Sequence, residues 1–365
     1  MENENKTEAK ILITSDIHFG RTGDGNFVPE SERIQTFKNI TALAKEHDLL
    51  FVAGDLIDSS NISIDLRNMI ANEFKEVRAT GTEILYTPGI GEQDKDEELH
   101  GLIYDFGVSR IFSKQKRFEP YSIEIGTEQL RIYGEPSSPD FSILNVKRED
   151  LSGFHIGLFH CETEVDKLEI PVPGYDFYVL GYGHTSRIFK SSDGVIGANS
   201  GSPVAVELKE TGERYVISIS ISDGKIINVE RIPVNSVQIL NIEINCNNFS
   251  TSENLKNLLL EKASTANILH VSLSGEYDFS IKEVIENIKD QFCDIVITDN
   301  AIPSFKYYTT MYENEKSIRG EFFRILKEQL SQDNQSAPSF SQLTGIVIAL
   351  LADDVNVVEE WLCDL

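Results

Sequence analysis

Between Glu8 and Gly89 the chain alternates strand, helix, strand, helix, strand, and this alternation constrains the fold more than any other feature of the sequence. EAKILITSD is rich in branched residues and reads as a buried strand. ESERIQTFKNITALAKEH follows as a helix, with Ile34, Phe37, Ile40, Leu43 and Ala44 on one face. LLFVAGD is a second apolar strand, DLRNMIANEFKEVRAT a second helix and TEILYTPG a third strand. Strand and helix at these lengths indicate a parallel sheet covered on both faces.

From about residue 121 the texture changes. YSIEIGTEQLRIYG reads as a hairpin, and GFHIGLFHCE and DFYVLGYGH as strands ending in histidine. GVIGANSGSPVAVELKE and ERYVISISISDGKIINVERIPV supply further strands joined by polar turns. The mixture predicts an α/β fold in which two sheets pack face to face with helices outside.

Near residue 235 the pattern resets. VQILNIEIN, NILHVSLSGEY and DIVITD read as strands, with SENLKNLLLEKAS and SIKEVIENIKDQF as the helices between them. Ile281, Val284, Ile285 and Ile288 form a helical stripe. SIRGEFFRILKEQL is an amphipathic helix, SQDNQSAPSFSQ a polar loop and LTGIVIALLADDVNVVEEWLCDL one or two closing helices. Val355, Val358, Leu362 and Leu365 line one face of the last, for packing on the neighbouring α/β unit or for docking a partner. The expected division is a first α/β domain at 1–234, a small α/β cap at 235–305 and a C-terminal helical region at 306–365, the candidate contact for a partner.

The net charge of −26 limits what this surface can hold. A protein that grips nucleic acid unaided usually shows a basic face, because neutralised phosphates release counterions. Either the substrate is small or a partner holds the nucleic acid, unless the acidity serves solubility alone. Hydrophobic residues make up 40% and charged ones 25%, enough for a packed core. Cys161, Cys246, Cys293 and Cys363 have no ligand spacing, as in a cytoplasmic protein with reduced thiols. The polar opening MENENKTEAK and the short apolar run GIVIALLA agree, since spanning a bilayer takes roughly 20 apolar residues.

Chemistry-bearing residues gather at the strand ends. The first strand delivers Asp16-Ile17-His18, the second Gly54-Asp55, a later one His160, and another Gly181-Tyr182-Gly183-His184. In sheets with parallel strands, ligands collect beyond the carboxyl ends, so these positions converge although distant in sequence. Carboxylate with imidazole suits manganese, iron or zinc. A lone strand-end histidine such as His160 is more often a hydrogen-bonded structural residue, but its place in the ordered set makes it a candidate ligand. His47, His100, His155 and His270 have no such company and read as structural.

With SDIHFG, VAGDLID, TPG, GLFH, LGYGH and NSGSP in this order, the sequence resembles the calcineurin-like metallophosphoesterases. Within them it is similar to the double-strand-break repair nuclease subunits of the SbcD and YhaO type. HVSLSGEYD resembles their capping domain, and SIRGEFFRILKEQL the C-terminal part of YhaO-type chains. The resemblance implies a four-layer metallophosphoesterase sandwich, two β-sheets flanked by helices, with a small α/β capping domain and C-terminal helices. It further implies manganese, DNA ends as substrate, a coiled-coil SMC-like ATPase partner and a possible homodimer.

By the same resemblance the first metal is held by Asp16, His18, Asp55 and His184. Asp55 then bridges to a second metal, whose other ligands are His160, an asparagine and a further histidine. The last two positions here are Ile90 and Tyr182, so one site is well formed and the second is reduced. The general-acid position is Gly91, and losing a general acid typically costs about 10²–10⁴-fold in rate. Glu92 and Asp94 are candidate replacement ligands, with shifted spacing. Three readings follow: a metal-dependent DNA phosphodiesterase working with the ATPase, a catalytically weakened pseudo-nuclease in such a complex, and a phosphatase for small phosphate esters. The cap and the C-terminal helices argue against the third.

Overall fold

The computed structural model describes residues 8–22, 26–58, 62–89, 92, 101–103, 105–112, 119–135, 152–160, 175–192 and 194–332. In chain order its first elements are β1 (Ala9–Thr14), α1 (Glu30–Ala44), β2 (Leu49–Val52), α2 (Ile64–Ala79), β3 (Glu83–Tyr86) and β4 (Arg110–Ile111). Then come β5 (Tyr121–Ile125), β6 (Glu128–Glu135), β7 (Phe154–His160), β8 (Phe177–Gly181), β9 (Arg187–Ser191) and β10 (Gly194–Asn199). β11 (Tyr215–Ser222) and β12 (Lys225–Pro233) close the series.

Two six-stranded sheets result, ordered β12-β11-β1-β2-β3-β4 and β5-β6-β7-β8-β10-β9. In the first, β1 to β4 run parallel and β11 joins β1 antiparallel. In the second, β6, β7, β8 and β10 are parallel and the outer strands antiparallel. The two-residue side-chain period of a strand sorts the apolar residues of β1. Ile11 and Ile13 face the second sheet, packing in one cluster with Leu130, Ile156, Leu158 and Val179. Leu12 joins the opposite cluster with Phe37 and Ile40 of α1 and Ile70 and Phe74 of α2. The outer face of the second sheet carries an aromatic cluster of Tyr133, Phe159, Tyr175 and Tyr178.

One expected strand is absent. Of GVIGANSGSPVAVELKE, expected to give strands joined by polar turns, only Gly194–Asn199 is a strand, and 203–210 is a series of turns in which Val204, Ala205 and Val206 are buried. The physical reason is Glu210, which folds back into the interior and accepts a hydrogen bond from Val206 N at 2.8 Å. A local carboxylate partner displaces the expected ladder.

The chain divides into two compact units, the first being 1–240 with 266–268, and the second 241–265 with 269–365. The later elements are β13 (Gln238–Asn245), α3 (Ser252–Leu260), β14 (Ser264–Ser274), β15 (Glu276–Tyr277), α4 (Ile281–Ile288), β16 (Phe292–Asp299), β17 (Ile302–Pro303), α5 (Phe305–Tyr312) and α6 (Ile318–Gln332). β13, β14 and β16 form a three-stranded sheet. Of the expected stripe on α4, Ile281, Val284 and Ile288 are buried and Ile285 half-buried. Thr251 and Ser280 cap α3 and α4 by accepting from Asn254 N and Glu283 N. The closing helices expected after residue 340 lie outside the described residues.

Candidate metal centre

The carboxyl ends of β1, β2, β7 and β8 meet at one rim of the sandwich, and the chain leaves β1, β2 and β8 through an unusual backbone conformation. Asp16, His18, Asp55 and Tyr182 have positive φ of 54°, 57°, 50° and 85°. Such values cost of order 1–3 kcal/mol each in a residue with a Cβ and gather where a side chain must be aimed. Hydrogen bonds hold them: Asp16 N to Gly54 O at 2.9 Å, His18 N to Asp55 O at 2.9 Å and Phe19 N to Leu56 O at 2.8 Å. Buried Arg33 on α1 donates from Nη1 to Ile17 O at 2.5 Å, pinning the carbonyl between the two site residues.

Glycine is required where these loops touch. A Cβ on Gly89 would stand 1.8 Å from Asp55 Oδ1, and one on Gly181 the same 1.8 Å from Ala53 O.

Two groups of ligand atoms form at this rim. Asp16, His18 and His184 each offer an atom within 4.8 Å of the others, and so do Asp16, Asp55 and His160. The residue common to both is Asp16, whereas the sequence resemblance gives the bridging place to Asp55. Asp55 leans towards His160, with Oδ2 3.4 Å from Nε2.

Each histidine is oriented by its other nitrogen. His18 Nδ1 lies 2.5 Å from Asp58 Oδ1, His160 Nδ1 donates to Ala53 O at 2.7 Å, and His184 Nδ1 lies 2.7 Å from Glu210 Oε1. A neutral imidazole that donates from Nδ1 presents a lone pair at Nε2, the form that binds a metal. Asp16 Oδ1, His18 Nε2 and His160 Nε2 are buried with no hydrogen-bond partner among the described residues. Buried polar atoms are rarely left so, and three converging at one rim fit a cation.

The charges agree with this fit. Burial pushes the Asp16 carboxyl above its ordinary range, with the Asp55 charge adding to the effect. Burial works in the same direction on Asp55, but its pairing with His160 holds it below the ordinary value. For His160 burial disfavours the imidazolium, yet Asp55 and Asp16 outweigh it and push the group up to about 9. Likewise His18 is raised against its burial by Asp58. The carboxylates thus draw on protons where a divalent ion would satisfy them directly.

Glu92 behaves unlike a ligand. It is fully buried, and its oxygens accept from Asp55 N at 2.9 Å, Ile57 N at 3.0 Å, Gly89 N at 2.9 Å and the Tyr86 hydroxyl. Both of its oxygens are engaged behind Asp55. Burial and the nearby Asp55 charge push its carboxyl up despite these donors. Ile90, Gly91 and Asp94 lie outside the described residues.

Tyr182 N donates to Asp16 Oδ2 at 3.2 Å, and its ring stands edge-on to His160 with centroids 5.8 Å apart. A cavity of about 790 Å³ opens beside these residues, lined by Asp55, Tyr182, His184, Lys209 and Arg214 among others. Asn199, in the NSGSP stretch, ties the loop by donating to Gly183 O at 2.9 Å. The histidines expected to be structural have partners of their own: His47 bonds Leu43 O and Ser218 Oγ, His155 stacks on Tyr133, and His270 bonds Asn241 and Thr298. His100 lies outside the described residues.

The family model for calcineurin-like phosphoesterases matches residues 9–185, the span that contributes the strand ends of both groups. The chain carries a calcineurin-like metallophosphoesterase domain. The chain is 24% identical over 298 residues to "DNA double-strand break repair protein Mre11" of Saccharolobus solfataricus, covering 73% of this chain and 75% of that one. It is 22% identical over 343 residues to the protein of that name from Sulfurisphaera tokodaii, covering 86% and 84%. To the "Uncharacterized metallophosphoesterase YhaO" of Bacillus subtilis it is 24% identical over 204 residues, 51% of this chain and 49% of that one.

Sequence reasoning missed four supports of this metallophosphoesterase site: Asp58, Arg33, Glu210 and the buried role of Glu92. Asp58 was within reach, since it closes the same VAGDLID stretch that supplies Asp55. The other three act on backbone or side-chain atoms brought close only by the fold.

Proposed function

We propose that this protein is a manganese-dependent phosphodiesterase subunit that acts on DNA ends in company with an SMC-like ATPase. The observation that carries the metal chemistry is the set of orphaned ligand atoms, Asp16 Oδ1, His18 Nε2 and His160 Nε2, converging at the strand ends. Asp16, His18 and His184 would hold one ion, while Asp55 and His160 with Asp16 offer a thinner second set. A divalent ion held there would supply Lewis acidity towards a phosphate oxygen and would make a water nucleophilic near neutral pH.

The residues' own contributions can be stated without it. Asp58 and Ala53 O keep His18 and His160 in the tautomer that leaves Nε2 free. Arg33 and the Gly54 carbonyl fix the direction in which Asp16 points. The cavity beside Tyr182 and Lys209 gives an extended phosphodiester room to lie across the rim. DNA as substrate rests on the relatives named DNA double-strand break repair protein, the ATPase as partner on the resemblance to SbcD- and YhaO-type subunits, and the acidity of the chain favours a partner that supplies the basic surface.

A second reading has a specific observation behind it. Isoleucine at 90 cannot coordinate and glycine at 91 has no proton to give, so the chain qualifies as a catalytically weakened subunit that senses or scaffolds DNA. One comparison separates the two. The wild type and Asp55→Ala are assayed with manganese on a generic phosphodiester and on DNA ends, with and without the ATPase. The enzyme reading expects turnover that Asp55→Ala removes and the partner increases; equal rates for both proteins under every condition leave only the weakened subunit.

A further inference from the structure

We infer that Glu210 is a positioning residue that holds His184 in the tautomer and orientation presenting Nε2 to the Asp16–His18 group. The inference rests on reading that group as a divalent-cation site. Glu210 sits in the turn segment after Pro203 and is only 8% exposed. Its Oε1 lies 2.7 Å from His184 Nδ1. Its Oε2 accepts from Val206 N at 2.8 Å, from Ser202 Oγ at 3.2 Å and from Arg214 Nη2 at 3.3 Å.

Arg214 ties the arrangement to the histidine's own backbone. Its Nε donates to Ser202 O at 2.9 Å, and its Nη2 donates to Ser202 Oγ at 2.6 Å and to the His184 carbonyl. Ser202 N adds a hydrogen bond to that carbonyl at 3.2 Å. Backbone and ring of His184 are therefore gripped by one cluster. An ionised carboxylate only accepts, so the proton belongs to Nδ1 and the lone pair to Nε2. His18 and His184, with ring centroids 5.6 Å apart, each offer a ring nitrogen within 4.8 Å of an Asp16 oxygen.

Glu210 and Glu207 also fall within 4.8 Å of His184, which raises the question of whether they are ligands themselves. The Arg214 guanidinium beside Glu210 would repel a cation, and both Glu210 oxygens already have donors. Glu207 is 47% exposed at the side chain and pairs with Lys209 at 2.5 Å. Both carboxylates thus already have partners.

The full chain, freed of metal, is examined by long-range ¹H–¹⁵N imidazole spectra, by thermal melting and by manganese titration calorimetry, with His184→Ala assigning the resonance. The wild type should show the Nδ1–H tautomer at His184, and an Nε2–H tautomer overturns the proposal. Glu210→Ala should mix the tautomers and weaken manganese binding by roughly 10–100-fold, the usual effect of removing a carboxylate behind a metal-bound histidine. Glu210→Gln keeps an acceptor oxygen and should stay within a few-fold of wild type. A lowered melting temperature with unchanged tautomer and affinity makes Glu210 merely structural and sinks the idea. Should Glu210→Ala not fold, the wild-type tautomer and the glutamine variant still decide. Absence of manganese binding by the wild type defeats the metal reading instead, and is thereby told apart from failure of the positioning role.

Discussion

A carboxylate with no exposed surface and four donors around it is hard to replace, and Glu92 is such a group. Removing it leaves the N–H groups of Asp55, Ile57 and Gly89 buried without an acceptor. Glu92→Ala should therefore lower unfolding free energy by roughly 3–5 kcal/mol in urea denaturation. Glu92→Gln should cost nearly as much, because its amide turns a donor towards donors. Tyr86→Phe, which deletes one donor and leaves the carboxylate the other three, should cost about 1 kcal/mol. If Glu92→Ala proves as stable as Tyr86→Phe, the Asp55 loop is held by something other than this carboxylate. From the sequence alone Glu92 reads as a possible ligand two positions late. Nothing in its spacing shows that three backbone N–H groups converge behind it, whereas Asp16 and His18 are legible because they stand directly after an apolar strand.

His47 shows how side chains bind elements together. It follows α1, donates from Nδ1 to Leu43 O at 2.8 Å and accepts at Nε2 from Ser218 Oγ on β11 at 2.8 Å. Thr82, at the entrance to β3, donates to the His47 carbonyl at 2.7 Å. This pattern uses the neutral imidazole fully, and burial, with Lys10 nearby, pulls its pKa below the ordinary 6.5 despite the Leu43 carbonyl and the charges of Asp48 and Glu46. The sign follows: the unfolded chain takes up the proton first, so the stability His47 contributes is complete above about pH 6.5 and is lost as pH falls below it. His18 and His160 are raised and work in the opposite sense, so the difference between wild type and His47→Gln isolates this residue. The wild type should be more stable than His47→Gln at pH 8, with the gap narrowing towards pH 5; a constant gap in denaturation midpoints would count against the neutral form. At this scale the alternation of strand and helix up to Gly89 was readable, because each element follows a single hydrophobic period. The turns at 203–210 were not, since VAVEL carries the period of a strand while a carboxylate beyond it dictates turns.

For the molecule as a whole, 33 basic residues stand against 59 acidic ones. Each phosphate neutralised by Lys or Arg releases counterions, and non-specific duplex binding at physiological salt typically runs at about 10⁻⁴–10⁻⁶ M even for proteins with a basic face. The isolated chain should fall at or beyond the weak end of that range, with a shallow dependence on salt. Fluorescence anisotropy with a blunt duplex, at low and at physiological ionic strength, measures both. An SMC-like ATPase, co-expressed, should tighten binding and steepen the salt slope, since its Lys and Arg would then meet the phosphates. The segment proposed to reach it begins after residue 305. There α5 and α6 pack through Tyr308, Tyr312 and Phe323 and leave Met311 and Ile325 55% and 48% exposed. Deleting 306–365 should abolish co-purification with the ATPase and its gain in DNA affinity. The metallophosphoesterase domain, whose two sheets and intervening core are complete before residue 241, should keep its melting transition and its manganese binding. Undiminished association after the deletion would move the contact elsewhere. Tight, steeply salt-dependent DNA binding by the chain alone would show that its few basic side chains are concentrated on one face, against the reading from net charge.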